Sequence, residues 1–246
     1  MNQLKILALD LEMSYALGFF FPSKKPQYIP ARNITHHQYC ICASWSWDHE
    51  VSVYNERCKK PWSDKNIAIK LSKLINEADI ITAHNGDNFD MKHINTLLIK
   101  HGLPPIPPKK TLDTLKIARK YFAFAGNSLS DLLRFFNIGD KEEKPDWYEA
   151  TMGNKEAMEQ VVKYCNVDVI QQKKILEKFK PFINNYPTLR ASSERPKVCD
   201  ACGSSHIQVK DKCAWRAGNK FVTVYQCYTC KKCHSVPIRG MVARNA

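Results

Sequence analysis

No run of apolar residues in the chain approaches the ~20 that a membrane-spanning helix requires, so a protein in solution is expected. No apolar leader precedes the first strand-like segment, which begins within a few residues of the N-terminus. Without such a leader a disulfide framework is not expected, and Cys40, Cys42, Cys58 and Cys165 read as reduced thiols, mostly small core residues, in a cytoplasmic protein. Internal repeats and low-complexity tracts are missing too, which excludes solenoids and arrays. Acidic residues are scarce beside basic ones: 24 Asp and Glu face 37 Lys and Arg, and the formal charge of +13 favours polyanionic partners.

The few acids are placed with order. In Lys5-Ile6-Leu7-Ala8-Leu9-Asp10-Leu11-Glu12 an apolar run of buried-strand character ends in two carboxylates, and strand alternation puts both on the face of Leu4, Ile6 and Ala8. Two carboxylates there repel and lose hydration, and a divalent cation between them lets both stay ionised. Asp90 follows a strand at 79–83 and opens an amphipathic helix over 89–101, where the helix dipole favours an anion. A long helix over 155–179 carries Tyr164 and Asp168 at i and i+4, neighbours on one face. Each piece alone is ordinary: a solvated strand edge, a helix-start charge, a helix-surface pair. Together, four acids in this order can hold two divalent cations and cut phosphodiester bonds.

With these residues the chain resembles the DEDD superfamily of 3'-5' exonucleases, which share the ribonuclease H-like fold, and within it the tyrosine-bearing branch that includes proofreading domains of family B DNA polymerases. The motifs are Asp10-x-Glu12, Asn85-x-x-x-Phe89-Asp90 and Tyr164-x-x-x-Asp168, supported by Leu112-Asp113-Thr114-Leu115 and Asn127-Ser128-Leu129-Ser130-Asp131. The similarity spans roughly residues 1–180. It implies an α/β fold with a mixed sheet flanked by helices, in a chain too short to hold a polymerase as well. It further implies that Asp10, Glu12, Asp90 and Asp168 hold two Mg2+ or Mn2+ ions, that Tyr164 orients the attacking water, and that Asn85 and Phe89 meet the terminal nucleotide. Hard oxygen donors favour Mg2+ or Mn2+ over zinc. Two residues depart from the common pattern: Met13 stands where many relatives carry Thr, and Cys165 where many carry Asn. Neither removes a metal-binding oxygen. The expected partner is nucleic acid, single-stranded DNA or a 3' end, acted on by a monomer. Two other readings remain: a ribonuclease H-like endonuclease, and a binding protein whose nuclease-like domain is inactive.

Charge and cysteine mark the C-terminal part. Residues 186–246 hold 11 Lys and Arg against 3 acids, a net of +8, while residues 1–185 hold 26 against 21, a net of +5. Cys199-x-x-Cys202 and Cys227-x-x-Cys230 have the spacing of two thiolate knuckles that clamp one structural Zn2+, and the strand-like Phe221–Tyr225 between them resembles the zinc-ribbon family. Cys233 leaves an alternative knuckle, Cys230-x-x-Cys233, open. The layout is therefore a ribonuclease H-like domain over 1–183, a Pro/Ser/Asn-rich linker over 184–197 and a zinc ribbon over 198–246. Such two-part layouts resemble small nucleases carried by bacterial viruses.

Further strands are expected at 39–47 and 51–55, and a helix at 64–77. The loop 18–33 interleaves Phe19, Phe20, Phe21 and Tyr28 with Lys24, Lys25 and Arg32. Two readings of it stay open, base stacking with phosphate contact or simple packing of a long loop onto the body.

Overall fold

The apolar run that ends in Asp10 and Glu12 is the middle strand of a five-stranded mixed sheet in a computed structural model of the chain. The structure describes residues 5–21, 28–139, 143–183, 199, 204–216, 220–231 and 233–242. The chain divides into two compact units, one of them Lys5–Lys178 and the other containing everything from Phe179 onward. In chain order the first unit contains β1 (Ile6–Met13), β2 (Leu17–Gly18), β3 (Ile34–His36), β4 (Cys40–Trp47), β5 (Tyr54–Arg57), α1 (Lys65–Glu77), β6 (Ile80–Ala83) and α2 (Asp90–Lys100). These are followed by β7 (Lys110–Asp113), α3 (Thr114–Tyr121), α4 (Leu129–Phe136), α5 (Trp147–Met152) and α6 (Lys155–Phe179).

The sheet order is β5-β4-β1-β6-β7. β4 runs antiparallel to β1, with Ser44 opposite Asp10 and Cys42 opposite Glu12, and β6 and β7 run parallel to β1. Leu7, Leu9 and Leu11 alternate with Ile6 and Ala8, and all five are buried. Both faces of β1 are therefore covered, which is why its sequence is continuously apolar until the acids. Helix α1 buries Ile67, Leu71, Leu74 and Ile75 at helical spacing, and α2 buries Ile94, Leu97 and Leu98. These side chains join the strand residues in one core cluster. Helix α6 is tied across the sheet by hydrogen bonds: Gln172 Nε2 donates to Leu9 O at 2.8 Å, Lys173 Nζ donates to Trp47 O at 2.7 Å, and Ser44 Oγ donates to Asn166 Oδ1 at 2.8 Å.

One expected strand is displaced. Residues 51–55 read as a strand, but Val51 is 97% exposed and β5 begins at Tyr54. The antiparallel pairing of Trp45 with Tyr54 leaves the preceding residues to make the reversal, so Val51 belongs to the connection despite its β-branched side chain. Among the described residues no helix is long and apolar enough to cross a membrane.

The second unit is a three-stranded antiparallel sheet in the order β10-β9-β8, with β8 (Ile207–Arg216), β9 (Lys220–Cys227) and β10 (Cys233–Val242). Cys199, Ile207 and Cys227 are buried together with Tyr225 against them. The expected linker at 184–197 lies outside the described residues, as does Cys202.

Candidate active site and cysteine cluster

The acids gather where the parallel part of the sheet ends. β6 pairs with β1 only as far as Ala8 opposite Thr82, so the last residues of β1 project past their parallel neighbour. There β1 presents Asp10 and Glu12, and α6 brings Asp168, which is buried, across them. One carboxylate oxygen from each of Asp10, Glu12 and Asp168 lies within 4.8 Å of the others. Tyr164 sits one helical turn before Asp168, also buried, with its ring edge-on to Trp147 of α5 at 5.4 Å.

Asp90 arrives from the start of α2. Its Oδ1 accepts the Leu11 N–H at 3.1 Å, the amide between the two strand acids. Burial pushes the Asp90 carboxyl well above the usual carboxylate range. The Asp10 charge and, to a smaller extent, the Glu12 charge add to the rise, while the backbone N–H donors oppose it. The turn before α2 is built for this approach. Asn85 adopts a left-handed conformation at φ 65°, and a Cβ on Gly86 would stand 2.4 Å from Ala83 Cβ, so only glycine fits. Asp113, at the end of β7, fastens the turn by accepting the Asn85 N–H at 3.0 Å and the Asp87 N–H at 3.3 Å. The same carboxylate caps α3 through the amides of Leu115 and Lys116.

Like charges thus converge on partly buried ground, and every donor is a hard oxygen. That donor set fits Mg2+ or Mn2+, which would be held by Asp10, Glu12 and Asp168 with Asp90 beside Asp10. Phe89 is partly exposed, edge-on to His93 at 4.5 Å, and Asn88 Nδ2 donates to Asn85 Oδ1 at 3.4 Å. Three supporting residues carry no role in the motif reading. Cys165 donates to Asp10, Trp147 packs on Tyr164, and Asp113 organises the turn that delivers Asp90. Of these only Asp113 had a local signal, an acid placed just before a helix start.

In the second unit Cys199, Cys227 and Cys230 bring their sulfurs within 4.8 Å of one another, and Cys199 Sγ and Cys230 Sγ are 3.5 Å apart. Soft thiolates at this spacing suit zinc. The turns that present them are pinned: Cys199 N–H donates to Ser204 O at 2.7 Å, and Tyr228 N–H donates to His206 O at 2.9 Å. Cys233 is exposed and opens β10, and its sulfur lies 3.9 Å from Lys210 Nζ.

Comparison with known proteins places this geometry in context. The family model of the RNase H superfamily matches residues 33–180, more than half of the chain. That stretch includes Asp90, Tyr164 and Asp168 and begins after Glu12. The chain is 28% identical over 93 residues to a DNA polymerase III PolC-type of Ureaplasma parvum serovar 3, covering 38% of this chain and 6% of that protein. The family B DNA polymerase of the hyperthermophilic archaeon Pyrobaculum calidifontis shares the fold with a TM-score of 0.57 at 14% identity, over 74% of this chain and 25% of that one. The chain therefore spans only a small part of either polymerase.

Proposed function

The chain belongs to the RNase H superfamily, and from that membership we propose that it is a metal-dependent 3'-5' exonuclease of the tyrosine-bearing DEDD branch, acting on single-stranded DNA. The observation that carries the reading is the convergence of Asp10, Glu12 and Asp168, with Asp90 hydrogen-bonded between the two strand acids. Resemblance in three separated motifs and kinship to polymerase sequences support the direction and the substrate.

When bound, Mg2+ or Mn2+ supplies Lewis-acid polarisation of the phosphate and a more acidic water. Asp10, Glu12, Asp90 and Asp168 hold the cations in place. Tyr164, fixed by Trp147, directs its hydroxyl to orient the attacking water. Asn85 and Phe89, on the turn fastened by Asp113, receive the terminal nucleotide. In the C-terminal unit Cys199, Cys202, Cys227 and Cys230 hold one structural Zn2+, and the basic surface of this ribbon draws in the phosphate backbone. The domains run 1–183 and 198–246 with 184–197 as linker.

The test is digestion of a 5'-labelled linear single strand and of the same sequence as a closed circle, with Mg2+, by wild type and Asp10→Ala. A descending ladder from the linear strand, an intact circle and a silent variant are expected. Cutting of the circle would make the protein an endonuclease. No product from DNA or from a matched RNA would leave a binding protein with an inactive nuclease fold.

A further inference from the structure

The three-stranded sheet of the C-terminal unit has two unlike faces. Ile207 stands opposite Cys227, and with Cys199 and Tyr225 these two form its buried side. Side chains alternate along a strand, so the adjacent row, Gln208 opposite Gln226 and Gln226 opposite Cys233, points the other way. On that row Gln208 and Cys233 are exposed and Gln226 is half-buried. Lys210 Nζ lies 3.9 Å from Cys233 Sγ, which brings an exposed cation to the row. Gln226 Nε2 donates to Lys231 O at 3.1 Å, so the turn that carries Tyr228 and Lys231 is fastened to the same row.

Tyr228 is held in the open. It is 52% exposed, and its main chain is pinned, with the N–H donating to His206 O at 2.9 Å. A hydrogen bond of 2.8 Å between Ser204 Oγ and Thr229 Oγ1 ties the same turn to the segment before β8. Lys231, left-handed at φ 61°, returns its ammonium over the Tyr228 ring, 5.1 Å from the centroid. Residues 204–210 and 224–231 hold Lys210 and Lys231 and no Asp or Glu, so the surface around the ring suits an anion. The two glutamines of the row add amides that both donate and accept. An exposed ring beside cations is the composition that holds a single strand, because the cations take phosphates and the ring takes an unpaired base. An acidic protein would use the lysines but leave the ring without a partner, and a duplex keeps its base faces stacked inside.

We infer that the open face of the β10-β9-β8 sheet is a single-strand binding surface, on which Tyr228 stacks a base while Lys231 and Lys210 contact the flanking phosphates. This goes beyond attraction of the phosphate backbone, because the ring adds a preference for unpaired over paired strands. It rests on the nucleic-acid reading of the chain, but not on cleavage. Stacking on an exposed ring is tolerant of sequence and of sugar, so DNA and RNA single strands are both held.

The experiment measures binding by fluorescence anisotropy with full-length Asp10→Asn protein, in stoichiometric zinc and no other divalent cation, so that the strand stays intact. The ligands are oligo(dT), an abasic strand of equal length and a blunt duplex of that length. Tyr228→Ala should weaken oligo(dT) binding about tenfold and leave the abasic strand and the duplex nearly unchanged, and Tyr228→Trp should restore the difference. Lys231→Ala should weaken all three and lower the salt slope on the single strand by about 0.7. A second measurement needs no substitution at the turn: a strand carrying 4-thiothymidine is crosslinked to Asp10→Asn protein by near-ultraviolet light, and a crosslinked peptide containing Tyr228 is expected. Undiminished oligo(dT) binding by Tyr228→Ala protein of wild-type zinc content, equal losses on all three ligands, or crosslinks confined to residues 5–178 would overturn the surface. Undiminished strand binding with lost self-association in sedimentation would give the face to a second copy of the chain. Shortening of a 5'-labelled strand by wild type in Mg2+ is read separately, and its absence while the Tyr228 discrimination holds counts against the nuclease reading alone.

Discussion

Cys165 Sγ lies 3.4 Å from both Oδ2 and the main-chain carbonyl of Asp10, so its single S–H proton is shared between the two acceptors. The thiol is fully buried, one residue after Tyr164, so the helix that brings Asp168 also steadies the first strand acid. A sulfhydryl is a weak donor, and its value here is orientation more than energy. Cys165→Ala should raise the Mg2+ concentration for half-maximal cleavage severalfold, with a stability loss of about 1 kcal/mol. Cys165→Ser, which keeps a donor, should restore the metal response. Metal titration of the cleavage rate checks this, and an unshifted midpoint in Cys165→Ala would remove Cys165 from any positioning role.

Asp90 predicts a dependence on pH and metal together. Burial, then the charges of Asp10 and Glu12, raise its folded-state carboxyl above the unfolded value. A group shifted in that direction contributes its stability below the unfolded pKa and loses it as pH rises through the folded pKa. Metal-free protein should therefore melt at a lower temperature at pH 8 than at mildly acidic pH, and Mg2+ or Mn2+ should remove most of that difference. Asp90→Asn, neutral at every pH, should flatten the metal-free profile while abolishing cleavage. Thermal denaturation across pH with and without metal decides it; a variant whose profile matches wild type would show that Asp90 does not carry the effect.

What the sequence revealed follows from the range of the forces involved. The 3.6-residue period placed the long helix at 155–179, where α6 is found, because its buried face repeats locally. The acids of β1 were legible only in combination with Asp90, Tyr164 and Asp168, because carboxylates that end an apolar strand are by themselves an ordinary solvated edge. Cys165 was not, since its partner lies 155 residues away and nothing local distinguishes a thiol aimed at Asp10 from one filling the core. Asp113 stood in the supporting motif at 112–115 with no role attached, and its grip on the Asn85 turn depends on β6 and β7 being neighbours.

Away from the acids, Asp64 joins three elements. Its fully buried carboxylate precedes α1 and accepts the Cys40 N–H at 3.1 Å, Lys100 Nζ at 2.9 Å and His101 Nε2 at 2.7 Å. Burial alone would raise its pKa, but the bonds from Lys100, His101 and Cys40 outweigh it and hold the carboxyl below the usual range. A depressed folded-state pKa gives stability that is present above the unfolded value and is lost as pH falls through the folded one. Asp64→Asn should therefore cost about 3 kcal/mol at pH 7, and the gap to wild type should narrow once pH falls below about 4. Urea denaturation at several pH values measures it. A constant gap across that range would mean that the loss comes from packing and not from the charge.

The two overlapping Cys-x-x-Cys spacings at the end of the chain make opposite predictions for zinc. Lys231 adopts a left-handed conformation at φ 61°, and its carbonyl accepts Gln226 Nε2 at 3.1 Å, which closes the turn after Cys230. That turn leaves Cys230 Sγ beside Cys199 Sγ, while Cys233 starts the next strand opposite Gln226. Zinc content measured with a colorimetric chelator should stay near one per chain in Cys233→Ser. It should fall well below half of that in Cys230→Ser and in Cys199→Ser, with melting of the C-terminal sheet, because metal binding by thiolates contributes folding free energy directly. The reverse pattern would identify Cys230-x-x-Cys233 as the second knuckle. It would then require the turn at Lys231 to open, because Cys233 can reach the other sulfurs only by leaving its pairing with β9.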